Sequence, residues 1–273
     1  MIKKFQLLAV GQTNVGMVRK NNEDAFFLAL DKGLLVVADG MGGHASGEIA
    51  SRMAVDVIRT YFNDPAASSK TPLIGTYDDD FTENTNRLGS AVRLANMAIY
   101  EAARSNAQWQ GMGTTIVCAL LHNRKLSIAH VGDSRLYLIR AGDIEQLTDD
   151  HSVVADQVKR ELISREEAEK SEIKNILTRA VGTEAEVEVD LSELNLLGDD
   201  ILILCTDGLT NMVRDEEILS VVLAGQDPAV ASQRLVELAN EGGGQDNITA
   251  VVAYILEESW FSSLINLLTW RWR

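Results

Sequence analysis

Four aspartates at the ends of apolar runs are the residues of this sequence best suited to do chemistry. Asp39, Asp133 and Asp207 each close a short run rich in Leu, Ile, Val and Ala, and Asp246 precedes another such run. Runs of this kind predict buried β-strands. One Asp-Gly pair after a strand is an ordinary turn, but four such strands place several carboxylates in one small volume if their ends meet.

Carboxylates gathered in this way need a compensating cation. Like charges at close range repel and raise one another's pKa. Oxygen ligands without a thiolate suit hard ions such as Mg²⁺ and Mn²⁺, so we predict a site for more than one divalent ion. Gly40 follows Asp39 directly, and its bare backbone allows the carbonyl oxygen to approach a ligand closely.

The polar turn between the first two predicted strands, residues 14–24, adds an arginine and two acids. Arg19 is suited to hold a phosphate group through paired hydrogen bonds. Glu23 and Asp24 can join the carboxylate cluster, directly or through water. The alternative interpretation is a solvated charged loop, which is weakened because Asp39 follows one strand later.

Length and composition narrow the class of protein. The 273 residues are 46% hydrophobic, which predicts a globular chain of one large domain or two small ones. A formal net charge of −15 argues against a nucleic-acid partner.

Cys118 and Cys205 lie in apolar runs and are predicted to be buried free thiols. The N-terminus predicts a first strand rather than a signal peptide. Because no run reaches the roughly 20 apolar residues of a membrane span, we expect a cytoplasmic location.

Apolar periodicity predicts the surrounding elements. Four segments carry apolar side chains at helical spacing: residues 45–61, 83–105, 215–223 and 227–241. Between about 111 and 143, short strands alternate with tight turns, which predicts an antiparallel meander. Residues 151–175 are polar and charged, and are predicted to form a mobile flap beside the site. Within this flap, Ser164 to Glu167 fits a capping box before a short helix.

The C-terminal tail, residues 258–273, has a different character. Its apolar side chains fall on one helical face: Trp260, Phe261, Leu264, Ile265, Leu268 and Trp272. One interpretation is an amphipathic helix docked on the domain. The other is a surface for a partner or a membrane interface, an alternative that the three tryptophans of this stretch keep open.

Eight motifs along the chain resemble those of the metal-dependent serine/threonine protein phosphatases of type 2C, the PPM family, in their bacterial form. They occur in the family's order over nearly the whole of residues 6–255: Arg19-x-x-Asn-Glu-Asp24, Val37-Ala-Asp-Gly-Met-Gly-Gly-His44 with Gly47-Glu48, Gly111-Met-Gly-Thr-Thr115, His130-Val-Gly-Asp-Ser-Arg135, Leu147-Thr-Asp-Asp-His-Ser152, Thr178-Arg-Ala-Val-Gly182, Cys205-Thr-Asp-Gly-Leu209 and Gly243-Gly-Gln-Asp-Asn-Ile-Thr249. One such motif is weak, but eight in sequence make chance implausible.

The resemblance implies an α+β fold, a four-layer α/β/β/α sandwich of two antiparallel β-sheets flanked by pairs of helices. It implies one phosphatase domain over residues 1–257, with the tail outside it. By position, Asp39 is expected to bridge two metal ions. Asp207 and Asp246 would complete the ligand set of the first ion. The Gly40 carbonyl would bind the second ion directly, and Glu23 would bind it through water.

The remaining roles are carried over in the same way. Asp133, together with Asp207, resembles the third-metal site of the bacterial members. Arg19 would hold the substrate phosphate, and His44 is the candidate general acid. Asp24 and Asn247 are expected to support the ligands. The cofactors implied are two to three Mn²⁺ or Mg²⁺ ions.

The resemblance also implies the reaction, hydrolysis of phosphoserine and phosphothreonine on proteins. Water between two ions becomes hydroxide near neutral pH and attacks phosphorus in line with the leaving oxygen, which His44 or a metal-bound water protonates. The expected partners are phosphoproteins, with a Ser/Thr kinase acting in opposition, and the expected state is a monomer. We further predict that the flap tunes which phosphoprotein enters the site.

Three alternative functions fit the sequence less well. A catalytically inactive relative that binds phosphoproteins would need a lost carboxylate, whereas Asp39, Asp207 and Asp246 are all present. A two-metal nuclease conflicts with the net charge of −15. A cysteine-based phosphatase is disfavoured because both cysteines lie within strand-like runs.

Overall fold

Two antiparallel β-sheets form the centre of the molecule, seen in a computed structural model that describes residues 5–42, 46–63, 73–225 and 227–257. The strands are β1 (Phe5–Asn14), β2 (Asp24–Ala29), β3 (Leu34–Met41), β4 (Gly113–Thr114), β5 (Ile116–His122), β6 (Lys125–Val131), β7 (Arg135–Arg140), β8 (Asp143–Gln146), β9 (Asp190–Asn195), β10 (Ile201–Cys205) and β11 (Ile248–Glu257). One sheet, sheet A, has the order β1-β11-β10-β7-β8. The other, sheet B, has the order β2-β3-β5-β6-β9, with β4 paired to β3.

Pairs of helices cover the outer faces of the sheets. The helices are α1 (Ser46–Asn63), α2 (Glu83–Ser105), α3 (Val153–Lys159), α4 (Arg165–Glu169), α5 (Asp207–Thr210), α6 (Asp215–Gly225) and α7 (Pro228–Glu241). α1 and α2 pack on sheet B, and α6 and α7 pack on sheet A. The predicted four-layer sandwich is confirmed. Among the helices of the described ranges, none is long and apolar enough to cross a membrane.

Strand β3 shows why the sandwich needs continuous apolar runs. Val36 and Ala38 pack toward the helices α1 and α2. Leu35 and Val37 point the other way, into the core between the sheets. Successive strand residues face opposite sides of the sheet. A strand that is buried on both faces is therefore apolar at every position. The same run carries Asp39 to its end, at the edge of the core.

The predicted helices follow their local signals closely. α2 begins and ends where the apolar periodicity predicted, at Glu83 and Ser105. The capping box before α4 is present, with the Ser164 hydroxyl accepting from the Glu167 N–H and the Glu167 carboxylate accepting from the Ser164 N–H. These are interactions within one turn, so the sequence alone can specify them.

The prediction of a single antiparallel meander between residues 111 and 143 is wrong at one point. β5 pairs with β6 in sheet B, but β7 pairs with β10 and β8 in sheet A. The chain crosses between the sheets at Gly132, which has a φ of 108°. A side chain there would adopt a strained backbone, and its Cβ would lie 2.6 Å from the Thr115 side chain. The crossover places Asp133 between the sheets rather than in a hairpin.

Candidate metal centre

The four aspartate-bearing strand ends lie around one cavity of about 380 Å³ at one end of the sandwich. Its walls include most of the predicted site residues: Arg19, Glu23, Asp39, Gly40, Asp133, Asp207, Asp246 and Asn247. Sheet B supplies Glu23, Asp39 and Gly40, and the ends of two sheet A strands supply Asp207 and Asp246. Every candidate ligand atom is an oxygen, the atom type that Mg²⁺ and Mn²⁺ prefer.

Asp39 is held from both sides by its neighbouring strands. It lies opposite Asp24 in the β2–β3 register. Its N–H donates to the Thr115 hydroxyl at 3.0 Å, and its carbonyl accepts from the Thr115 N–H at 2.8 Å. Sequence reasoning assigned Thr115 no role, although the Gly-Met-Gly-Thr-Thr motif was its signal. The Gly40 N–H donates to the Glu23 carbonyl at 3.1 Å, which joins these two segments.

Burial changes the proton affinity of these carboxyl groups. It raises the pKa of Asp39 well above its usual range, and the neighbouring charges of Asp24 and Asp207 raise that pKa further. Burial likewise raises the pKa of Asp133 to about 8 and that of Asp24 to about 7. These groups therefore cannot all be ionised near neutral pH without a compensating cation.

Two polar residues that the sequence reasoning missed support Asp207. The Asn211 side chain donates to Asp207 Oδ2 at 3.0 Å, and Lys174 Nζ donates to Asn211 Oδ1 at 2.9 Å. Asn211 follows Asp207 by one helical turn, a spacing that brings side chains together and could have identified it. Lys174 comes from the predicted flap, and no local signal connects it to this carboxylate.

Arg19 lies at the mouth of the cavity. Its Nη2 donates to Asp246 Oδ2 at 2.7 Å, and its side chain is 54% exposed, so a ligand can reach the guanidinium. Asn247 fixes the loop that carries Arg19. The Asn247 amide accepts from the Glu23 N–H at 2.7 Å and donates to the Val15 and Asn21 carbonyls at 3.0 and 2.9 Å.

Asp24 lies beneath the cavity and is buried. Its Oδ2 accepts hydrogen bonds from the hydroxyls of Thr206 and Thr249. Its Oδ1 has no hydrogen-bond partner among the described residues.

A second group near the cavity, His130, His151 and Asp190, places one ligand atom each within 4.8 Å of one another. Both ring nitrogens of His151 already have partners within the protein. The Gly132 N–H donates to His151 Nδ1 at 3.1 Å, and His151 Nε2 lies 3.2 Å from Asp190 Oδ2. Burial lowers the pKa of both imidazoles. Neutral His151 therefore holds Gly132, the residue before Asp133, rather than presenting both nitrogens to an ion.

The predicted flap contributes to the cavity wall. Residues 151–175 contain α3 and α4, and the chain that follows returns beside their start through the bridge between Ser152 and Leu177. Asn175 and Leu177 line the cavity. His44 and the tail 258–273 lie outside the described residues.

Comparison with known proteins places this site in a family. The family description Protein phosphatase 2C matches residues 17–240. The serine/threonine phosphatase stp of Listeria welshimeri is 36% identical over 244 residues, covering 88% of this chain and 93% of that protein. Protein phosphatase PhpP of Streptococcus pneumoniae is 36% identical over 250 residues, covering 90% and 96%. The chain belongs to the protein phosphatase 2C family, as its motifs indicated.

A solved structure extends the similarity to three dimensions. It is the catalytic domain of serine threonine protein phosphatase PstP in complex with two manganese ions. This chain matches it with a TM-score of 0.80 and 35% identity, covering 93% of this chain and all of that one. The order of layers derived above therefore occurs in a phosphatase domain that holds two metal ions.

Proposed function

We propose that this chain is a protein serine/threonine phosphatase that hydrolyses phosphoserine and phosphothreonine with two to three Mn²⁺ or Mg²⁺ ions. The observation that carries the proposal is the cluster of buried carboxylates around one cavity with an exposed arginine at its mouth. The relatives stp and PstP are named serine/threonine phosphatases and PhpP a protein phosphatase, which supports the same activity here.

The residues of the cavity fit a divalent ion pair. The buried carboxyl groups of Asp39 and Asp133 have raised pKa values, and a divalent cation would compensate their charge. We assign Asp39 to both ions, Asp207 and Asp246 to one, and Gly40 and Glu23 to the other. Asp133 is assigned to a third. When bound, such ions supply the Lewis acid that makes water nucleophilic near neutral pH.

The chain's own groups position the substrate. Arg19 offers a planar donor pair to a phosphate group, and its ion pair with Asp246 holds it at the mouth. Asn247 fixes the loop from which Arg19 projects. A catalytically inactive binding module is not favoured, because no candidate carboxylate is missing. His44 as general acid stays a prediction from the sequence.

Phosphate release from a phosphothreonine peptide tests this proposal. We expect release to require Mn²⁺, to stop with a chelator and to fall by about 100-fold or more in Asp39→Asn. Asp143→Asn, an exposed aspartate of β8, serves as the control and keeps wild-type activity. Equal rates for Asp39→Asn and wild type would refute the metal mechanism.

Arg19→Ala separates substrate binding from metal binding. We expect KM for the phosphopeptide to rise by about 10-fold or more, because a charge-assisted contact to the phosphate is lost. Mn²⁺ affinity should change much less. A KM equal to that of wild type would remove Arg19 from the phosphate site.

The remaining parts of the proposal concern the cellular setting, the oligomeric state and the roles of the flap and the tail. We propose a Ser/Thr kinase as the opposing enzyme, because such a kinase makes the substrate. We propose a cytoplasmic location, in keeping with two buried free thiols, Cys118 and Cys205. We also propose a monomer, with the flap 151–175 tuning substrate choice and the tail 258–273 available for a partner or a membrane surface.

A further inference from the structure

A buried hydrogen-bonded group joins the two sheets directly beneath the cavity. We name it the Asp24 junction, and it consists of Asp24, Thr206 and Thr249. Asp24 begins β2 of sheet B, whereas Thr206 follows β10 and Thr249 lies in β11, both of sheet A. The Thr206 and Thr249 hydroxyls donate to Asp24 Oδ2 at 3.0 and 2.6 Å. All three side chains are buried.

The surrounding donors fix the direction of these hydrogen bonds. The Thr249 N–H donates to the Thr206 hydroxyl oxygen at 3.0 Å, so the Thr206 proton is directed to Asp24. The Thr249 hydroxyl lies 2.8 Å from the Thr13 hydroxyl, which in turn accepts from the Asn22 side chain at 2.8 Å. Both threonine protons of the junction are therefore committed to one carboxylate oxygen, and that oxygen cannot rotate without breaking two bonds.

Each member of the junction adjoins a residue proposed as a metal ligand. Glu23 precedes Asp24, Asp207 follows Thr206, and Asp39 lies opposite Asp24 in the sheet. Thr249 is separated from Asp246 only by Asn247 and Ile248. The junction consequently sets the distance between the ligands that sheet B supplies and those that sheet A supplies.

We propose that Thr206 and Thr249 are positioning residues that, through Asp24, hold the two halves of the metal site at the spacing the ions require. This inference rests on the proposed function, because it concerns the same site. It adds that two neutral hydroxyls, which touch neither ion nor substrate, determine metal affinity. Groups that orient ligands in this way commonly contribute 10- to 100-fold to metal binding.

A merely structural role is the competing explanation, and the chain contains a matched control for it. The Thr85 hydroxyl is also buried and also donates to a carboxylate, that of Glu193, between α2 and β9. Thr85 and Glu193 do not line the cavity. Removal of the Thr85 hydroxyl should lower stability in the same manner as removal at the junction, without reaching the metal ligands.

The test compares Thr249→Val, which removes the hydroxyl at nearly constant volume, with Thr249→Ser, which keeps it. Mn²⁺ affinity of the full chain, stripped of metal with a chelator, is measured by titration calorimetry. We expect Thr249→Val to bind Mn²⁺ about 10- to 100-fold more weakly. Thr249→Ser should stay within about threefold of wild type, since its hydrogen bond is retained.

Two further readouts separate positioning from stability. Thr85→Val should unfold at a lower temperature yet bind Mn²⁺ with wild-type affinity. At saturating Mn²⁺, Thr249→Val should keep the wild-type KM for a phosphothreonine peptide, because its effect is on the metal. If Thr249→Val does not fold, the pair Thr206→Val and Thr206→Ser provides the same comparison.

Wild-type Mn²⁺ affinity in the folded Val variant would overturn the inference. So would equal weakening in the Val and Ser variants, which would indicate packing rather than the hydroxyl. Failure of the proposed function looks different: the wild-type chain would bind Mn²⁺ but release no phosphate from the peptide. The Mn²⁺ affinities of the variants would still decide the role of the junction.

Discussion

A methyl group added at Gly47 should weaken one metal site and spare the other. Gly47 lies at the start of α1, packed against the sheet B half of the centre. A Cβ there would lie 2.3 Å from Glu23 Oε2 and 2.8 Å from the Gly40 carbonyl carbon and oxygen. Ordinary contact begins at 3.4 Å, so the carboxylate must move by about 1 Å and the Gly40 main chain by about half that.

The Glu23 carboxylate can move at little cost, but the Gly40 main chain cannot. The Gly40 N–H donates to the Glu23 carbonyl, and Gly40 pairs with Thr114 in the sheet. Forcing a methyl group into such a site costs about 1–3 kcal/mol. Because about 1.4 kcal/mol is tenfold in affinity, we expect one Mn²⁺ to bind roughly 10- to 100-fold more weakly. The ion assigned to Asp207 and Asp246 should be little affected.

Mn²⁺ titration of metal-free Gly47→Ala, by calorimetry, distinguishes the two ions. Gly89→Ala is the control, because a Cβ at that helical glycine meets only side-chain ends of Arg93 and Leu191 at 3.1 Å. Thermal stability is not the readout, since Ala favours a helix over Gly by about 1 kcal/mol and offsets part of the strain. Two Mn²⁺ affinities equal to those of wild type would refute the assignment of Gly40 and Glu23 to one ion.

Three other predictions concern stability. Hydrogen bonds from Lys125, Thr82 and Thr85 outweigh burial and lower the pKa of Glu193 from 4.5 to about 2. The resulting stabilisation is present above the unfolded value and disappears as pH falls toward 2. Glu193→Gln should therefore cost about 1–2 kcal/mol at pH 7 and little at pH 2–3 in urea unfolding, and a pH-independent cost would contradict this cause. Arg135 binds both oxygens of half-buried Asp150, so Arg135→Ala should cost about 2 kcal/mol. The double variant with Asp150→Ala should cost clearly less than the sum of the two single changes; additive costs would show no coupling. Free Mn²⁺ at about 100 times its dissociation constant should stabilise the folded chain by about 2.7 kcal/mol. Scanning calorimetry would detect this as a rise in Tm of roughly 5–10 °C. An unchanged Tm would contradict metal binding to the folded state.

The parts of the fold that sequence reasoning predicted are those encoded within a few residues. The bounds of α2 follow from apolar periodicity, and the α4 cap follows from the Ser164 and Glu167 side chains one turn apart. The position of Asp39 at the end of a strand buried on both faces follows in the same way. Each of these features depends on neighbours in the sequence, so a single chain displays them.

The features that sequence reasoning missed depend on partners far along the chain. β6 and β7 are consecutive, yet they belong to different sheets, because their partners are β9 and β10. Asp24 and Thr206 are 182 residues apart and meet only when the sheets pack together. The Lys174 contact with Asn211 likewise needs the flap to fold back over the cavity. Sequence periodicity does not predict such pairs, because they form only when the layers pack together.

This division explains why the site lies where it does. Each sheet alone places only part of the carboxylate set at its edge: Glu23 and Asp39 from sheet B, Asp207 and Asp246 from sheet A. Asp133 lies on the crossover between the sheets. Carboxylates separated in this way can stay hydrated and ionised until the sandwich closes, and the electrostatic cost of gathering them arises only in the folded state. Cations that bind there stabilise the folded state alone. Their affinity therefore depends on the spacing at which the folded sheets hold the carboxylates. The buried hydroxyls of the Asp24 junction matter for this reason, because they fix that spacing before any ion arrives.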